Sequence, residues 1–380
     1  SLTKDMGDEF CLVSSKDQTK MSIKPSLEKV TFDYELLRDD TLALTKYWDD
    51  GTTSLVIPDA IDGHMVSTIR SNTIYNNNTI TELTVPDSIY RIEDESLYCP
   101  KLKTATMPYM AGIYQIDTWN DPTYINFPTL ETLNLTKSGE FILNKGTTGF
   151  ISGLDSLKTI NFSDEVKDIL IKHATDVTNL SAVSFSKNVQ SFVLEFSYYY
   201  NPSDIPVIKN NTNNGLSILT ARDNSTKVLV KALDSAPETI TKEMLSGVKV
   251  IADSAFTNDN SVVKTIELPI GVEYIGNSAL NTKYDSSLNV SLPSTIKELG
   301  AGALGNFTSP IADDNALRMI ESYDNPEVKY LVSRDSSKIQ SNITKDMLKG
   351  VRCIYGSTFY RDNGLKSIDI PETVMDIGDS

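Results

Sequence analysis

Histidine and cysteine are nearly missing from this 380-residue chain, which has two of the first and three of the second. With so few of them, and with no HExxH or CxxC spacing, a zinc site has no ligand set to draw on. The cysteines, at 11, 99 and 353, do not make a disulfide framework. A chain of this length can bury a core without one. Basic residues are outnumbered, 35 Lys and Arg against 51 Asp and Glu for a formal charge of −16. That field repels nucleic acid and anionic membrane surfaces. No apolar run approaches the roughly 18 residues of a membrane helix. No basic-then-apolar leader opens the chain at Ser1, so a processed or trimmed form is expected.

What is present is a repeat. A short pattern of one apolar residue, two polar, then apolar, polar, apolar and a closing Pro or Ser recurs along the chain. It appears as ITELTVP (80–86), LKTATMP (102–108), LETLNLT (130–136), LKTINFS (157–163), LSAVSFS (180–186), VKTIELP (263–269) and LKSIDIP (365–371). TTSLVIP (52–58) and SLNVSLP (287–293) are looser copies. Consecutive copies lie 22 to 28 residues apart, the length of one coil of a leucine-rich repeat or β-solenoid.

Strand side chains alternate faces. One face of the repeat is apolar in every copy: Leu55/Ile57, Leu83/Val85, Ala105/Met107, Leu133/Leu135, Ile160/Phe162, Val183/Phe185, Ile266/Leu268, Val290/Leu292 and Ile368/Ile370. These positions predict one continuous core. The other face is short and polar, and is expected to be solvated; Thr84, Thr106, Asn134, Asn161, Ser184 and Glu267 lie on it. After each strand the chain tends to run as in VEYIGNSAL (272–280) and IKELGAGAL (296–304), which reads as a tight turn with at most one helical turn.

A longer period is superimposed. ITKEMLSGVKVI (240–251) returns as ITKDMLKGVRCI (343–354). Each such block opens with two alternating segments around a polar turn, at 31–48, 216–233 and 317–334, which predict β-hairpins set into the solenoid. The expected organisation is an N-terminal segment or cap over 1–30 and a repeat block over 31–200 opened by a hairpin. A polar junction at 201–215 follows, then a second block over 216–316 and a third over 317–380. The third stops at Ile377-Gly-Asp-Ser380, where the pattern calls for Ala-Phe, and is expected to be incomplete at its C-terminus.

These residues resemble the BspA-like, or Treponema-type, bacterial leucine-rich repeats, whose unit reads LxxVxIP, then xxVxxIGxxAFxxC, then LxxVxIP again. IPDAIDGHMVSTI (57–69) looks like the element that opens such arrays, and SGVKVIADSAF (246–256) fits the middle of the unit. The stretch 130–200 departs from the pattern, lacking its prolines and the IGxxAF element. The resemblance implies a leucine-rich-repeat solenoid: a right-handed, strand-rich β/α superhelix with short helical or 3-10 return turns, here with inserted β-hairpins. It also implies a secreted or surface-attached protein that acts in adhesion or protein binding.

Motifs for chemistry are weak against this background. Gly300-Ala-Gly-Ala-Leu-Gly305 matches GxGxxG, yet Gly300, Ala303 and Leu304 occupy the same repeat positions as Gly276, Ala279 and Leu280. Ser294-Thr-Ile-Lys297 matches SxxK without the companion motifs of penicillin-recognising enzymes. His64 and His173 read as solvated residues, and Cys353 aligns with the apolar Val250. The pairs Asp39-Asp40, Asp49-Asp50 and Asp313-Asp314 lack EF-hand spacing and read as charged turns. Phe196-Ser-Tyr198-Tyr199-Tyr200 places three tyrosines beside the junction. They either cap the core or display a side chain for recognition.

The reading is therefore an extracellular or cell-surface binding protein that is not an enzyme, with no catalytic residue, metal or cofactor assigned. Its partner is expected to be a host or bacterial surface protein or glycan, with no nucleic acid and no membrane insertion. Tyr198, Tyr199 and Tyr200 are candidate contacts, together with Thr84, Thr106, Asn134, Asn161, Ser184 and Glu267. A polysaccharide lyase or hydrolase on a parallel β-helix, and a structural stalk, are the competing readings.

Overall fold

A computed structural model describes residues 10–14, 21–25, 31–93, 95–108, 125–137, 139–142, 151–152, 154–172, 179–194, 201–257, 262–281, 288–305, 311–312, 316–335, 341–360 and 362–378. The chain forms two compact units, one of residues 1–161 with 176–179, the other of 162–175 with 180–380. Each is built from stacked coils of short strands, a strand-rich β-solenoid. Among the described residues the only α-helix is the single turn Pro206–Lys209.

In the first unit the repeated pattern becomes strands Ser54–Val56, Glu82–Thr84, Thr104–Met107 and Thr132–Leu135, laid parallel and in register. Leu55, Leu83, Ala105 and Leu133 are direct partners, and all are buried. The strand from Thr159 continues the ladder. At roughly 1.5–3 kcal/mol for each fully buried large side chain, such a column supplies the driving force for stacking. Of the eighteen inward positions read from the repeat, only Val290, Ile368 and Ile370 are less than fully buried.

The return leg departs from the expected single turn. Tyr274–Ile275 is a short strand that pairs in parallel with Val248–Ile251, Glu298–Leu299 pairs in turn with Tyr274–Ile275, and together they build a second sheet. A hydrogen-bonded turn then holds one left-handed residue per coil: Ser254 (φ 53°), Ser278 (φ 49°) and Gly302 (φ 65°). Asp253 and Asn277 stack through this corner. The Asn277 backbone N–H and Nδ2 donate to the Asp253 carboxylate at 2.8 and 3.0 Å, and Asn277 Oδ1 accepts from Ala301 N at 2.7 Å. Gly300 is required by close approach, since a Cβ there would lie 2.6 Å from Asn277 N. The GxGxxG match is thus a coil corner.

The three hairpins form as expected: Phe32–Leu36 with Leu42–Tyr47, Leu216–Thr220 with Lys227–Ala232, and Leu317–Glu321 with Lys329–Arg334. Each is antiparallel and bulged, and its second strand pairs in parallel with the next coil, at His64–Ile69, Val248–Ile251 and Val351–Ile354. The hairpins are partition walls. Ile320, Tyr330 and Val332 pack into the core that runs back to Leu216, whereas Leu317, Met319 and Leu331 pack into the following core with Ile343 and Leu348. Burial on both faces explains the apolar run Leu42-Ala-Leu44 and the run Val228-Leu-Val-Lys-Ala232, apolar but for Lys231, all buried. The stretch 201–215 lies inside the second unit. Asn201 caps the 3-10 turn Pro202–Asp204, Val207 and Ile208 are buried, and Val207 N donates to Leu180 O at 2.9 Å.

Two outcomes test this architecture. Gly300→Ala forces a methyl against backbone and is expected to cost about 1–3 kcal/mol, read as a lower midpoint in urea. Lys231 is buried in the second wall, where burial pulls its amine down to about 8 although its Nζ donates to Ser254 O and Thr257 O at 2.8 Å each. A base with a depressed folded pKa costs stability below that pKa and regains it as pH rises toward its ordinary value. The stability of the protein relative to a Lys231→Met variant is therefore expected to rise between about pH 8 and 10.5, by at most about 1.4 kcal/mol per pH unit. Parallel curves for the two proteins would contradict this.

Candidate functional site

The polar strand face is the site the repeat builds most regularly. In the first unit the residues flanking each buried position fall into columns. Thr84 and Thr106 are ladder partners, as are Thr106 and Asn134. Asn134 Nδ2 donates to Thr106 Oγ1 at 3.0 Å, and Asn161 Nδ2 donates to Asn134 Oδ1 at 2.9 Å. The side chains are half-buried and point away from the core. Four of the sequence-predicted contacts, Thr84, Thr106, Asn134 and Asn161, are thereby brought together in one line. Ser54, Glu82, Thr104 and Thr132 form the companion column.

The other predicted contacts lie elsewhere. Ser184 belongs to the second unit, where Arg222, at the tip of a hairpin, donates to Ser184 Oγ at 3.2 Å and to Phe162 O at 2.7 Å. The same guanidinium pairs with Asp164. Glu267 faces Ser291 in a separate ladder, Thr239–Ile240 with Thr265–Glu267 and Asn289–Ser291. Tyr198, Tyr199 and Tyr200 fall outside the described residues, as do His173, Asp313 and Asp314.

Charge is organised along the same columns. At the position before each strand, Glu131 sits between Lys103 (2.7 Å) and Lys158 (2.9 Å). In the second unit Glu273 sits between Lys249 (3.8 Å) and Lys297 (2.9 Å), and Lys264 pairs with Glu238. Equivalent residues of neighbouring coils stand about 4.8 Å apart, so like charges would repel and signs alternate instead. Hydrogen bonds from Lys103 and Lys158, followed by their charge, hold the Glu131 carboxyl down at about 2. The signal was legible as the alternation Lys, Glu, Lys in LKT, LET and LKT.

The weaker chemical motifs come apart in space. Ser294 Oγ donates to Asp324 Oδ2 at 2.6 Å, while Lys297 turns to Glu273, so the SxxK pair does not assemble. Cys99 is buried and free, and burial raises its thiol to about 12; burial raises Cys353 as well. His64 Nδ1 lies 3.2 Å from Asp40 Oδ1. Asp49 and Asp50 accept from Gly51 N and Thr52 N, tying down their own turn. Among the described residues no three His, Cys, Asp or Glu side chains converge as metal ligands. No described helix is long and apolar enough to cross a membrane.

A family model for the BspA type leucine rich repeat region matches six copies, over residues 52–146 and 195–311. No curated protein matches the sequence. Among solved structures the chain is similar to a leucine rich cell surface protein from Faecalibacterium prausnitzii A2-165, at 15% identity over 93% of this chain and 94% of that one, with a TM-score of 0.24. It is similar to the pneumococcal vaccine antigen PcpA at 14% identity over 93% and 88%, with a TM-score of 0.25. A leucine-rich repeat protein from Bacteroides ovatus ATCC 8483 gives 13% identity over 93% and 78%, also with a TM-score of 0.25.

The Glu131 clamp has a measurable signature. Its depressed folded pKa contributes stability above the ordinary carboxylate range, which is lost as pH falls toward about 2. Side-chain carboxyl NMR is expected to find Glu131 titrating well below the ordinary glutamate range, moving back upward in Lys103→Gln and, because the group is exposed, in high salt. Titration in the ordinary range would show that the clamp does not form in solution.

Proposed function

The chain belongs to the BspA-type leucine-rich repeat family, and from that premise we propose that it is a non-enzymatic surface or secreted protein that binds a partner protein through its polar strand face. The observation that carries this reading is the column Thr84, Thr106, Asn134 and Asn161, in which the last three side chains bond to one another from coil to coil. Groups already ordered lose little further entropy on binding, so a partner meets a preorganised surface. The column is extended, as suits a protein surface of about 800 Å² per side. Members of this family are typically secreted or attached to the cell surface, and the reading places the chain there in an adhesive role.

The enzymatic alternative requires a nucleophile or acid–base pair within reach of a substrate. Ser294 and Lys297 are drawn to different carboxylates, and the thiols of Cys99 and Cys353 are buried.

The test is binding of the purified protein to immobilised extracellular-matrix proteins, beside a Thr106→Arg/Asn134→Arg double variant that places bulk on the face. Saturable binding by the parent, weakened by at least about tenfold in the variant (roughly 1.4 kcal/mol) at unchanged circular dichroism, is the expected result. Binding indifferent to the double variant would remove the face from the interaction. Release of reducing ends from a polysaccharide panel would replace the reading with a hydrolase or lyase.

A further inference from the structure

One part of the first unit breaks the rule that outward positions are short and polar. Where three successive coils close, Tyr47, Ile74 and Leu97 are buried, and the residues after them, Trp48, Tyr75 and Tyr98, alternate outward. Backbone hydrogen bonds from Tyr47 N to Thr73 O, Ile74 N to Ser96 O and Tyr98 N to Ile74 O set these coils side by side. Trp48 is 49% exposed and Tyr75 51%, and the Tyr75 and Tyr98 rings meet at 5.6 Å between centroids with a 49° tilt. The indole is held in place: its Nε1 donates to Asp33 Oδ1 at 2.9 Å, and Lys46 Nζ lies 3.4 Å from the ring centroid.

We infer that Trp48, Tyr75 and Tyr98 form a stacking ledge for a neutral oligosaccharide. Size is the first argument. Aromatic side chains offer about 150–250 Å² each, so half-exposed rings present a ledge of roughly 200–300 Å², well below the ~800 Å² per side of a stable protein interface. Charge is the second. Asp33 and Asp49 lie in the same coil, and the chain carries −16 overall, which disfavours an anionic ligand. A cationic ligand would compete with Lys46, which already sits over one face of the indole. A pyranose ring fits what is left, with an apolar C–H face for the rings and hydroxyls for the carboxylate rim. This site is separate from the strand face and does not rest on the protein-binding reading.

The only other tryptophan is Trp119, so Trp119→Phe leaves Trp48 as the sole indole reporter. Titrating that protein with lactose, cellotetraose and mannotetraose is expected to give a saturable change in emission for at least one sugar, indifferent to salt. Tyr75→Ala should weaken it by about tenfold, while Tyr75→Phe, which keeps the ring, should retain it; circular dichroism checks both folds. Thr106→Arg/Asn134→Arg should leave sugar binding intact, which separates failure of this site from failure of the strand face. The inference is overturned if none of the three sugars binds, if only sialyllactose binds and in a salt-dependent way, or if Tyr75→Ala binds as well as the parent.

Discussion

No coil of this chain can bury its own apolar pair. Leu83 projects from a strand three residues long and Val85 follows its last residue, and a lone strand of that length has neither ladder partners nor a covering layer. Stacking supplies both at once: the coil before and the coil after pair the backbone and wall in the side chains. Register then cannot slip, because a shift by one residue would turn Leu83 outward and Glu82 inward. The fixed register in turn creates the columns, and columns force neighbouring side chains to suit one another. Glu131 between Lys103 and Lys158, and Asn134 between Thr106 and Asn161, are consequences of the same stacking.

A stack that could only add coils would have one core and one uninterrupted polar face. The hairpins change that. Because the wall at 317–334 sends Tyr330 and Val332 to one side and Leu331 to the other, it closes one core and opens the next without exposing either. It also separates the polar ladders: Thr265–Glu267 and Asn289–Ser291 lie on one side of the wall, Ser367–Ile368 on the other, and the two sets do not pair. The second sheet is interrupted at the same place, since the hairpin at 317–334 pairs in parallel only with the coil that follows it. Lys231 shows a cost of the arrangement: a wall buried on both faces takes a lysine with it, and two carbonyls must hold the amine.

Much of this was legible in the sequence because period-two alternation over a recurring unit has few structural solutions. The inward pairs, the hairpins and the polar face follow from it directly. The second sheet was not legible: Tyr274–Ile275 and Glu298–Leu299 are two residues long, too short for alternation to register, and their strand character comes from the neighbouring coil. Nor was the helical turn at Pro206–Lys209, where Val207 and Ile208 sit among polar residues and reveal themselves only by docking near Leu180. Of the candidate contacts, Thr84, Thr106, Asn134 and Asn161 share a column because they share a repeat position. Ser184 shares the position too, but Arg222 arrives from a distant hairpin tip and engages its hydroxyl, which no local pattern announces.

The two surfaces of the first unit differ in what a ligand would have to do. On the strand face the amides and hydroxyls already bond to one another, so a partner gains by matching a fixed pattern and loses if it must break those bonds. On the aromatic ledge the gain comes from covering ring surface. Trp48 and Tyr75 keep apolar surface in water that folding has left uncovered, and covering it is favourable at roughly 25 cal/mol per Å². A solenoid can tolerate such exposed rings because its stability resides in the inward columns, which leaves outward positions free to vary with the ligand. The rigid repeat thus fixes where side chains stand and leaves open which ones stand there, and it is at the departures from the polar rule that a specific ligand leaves its mark on the sequence.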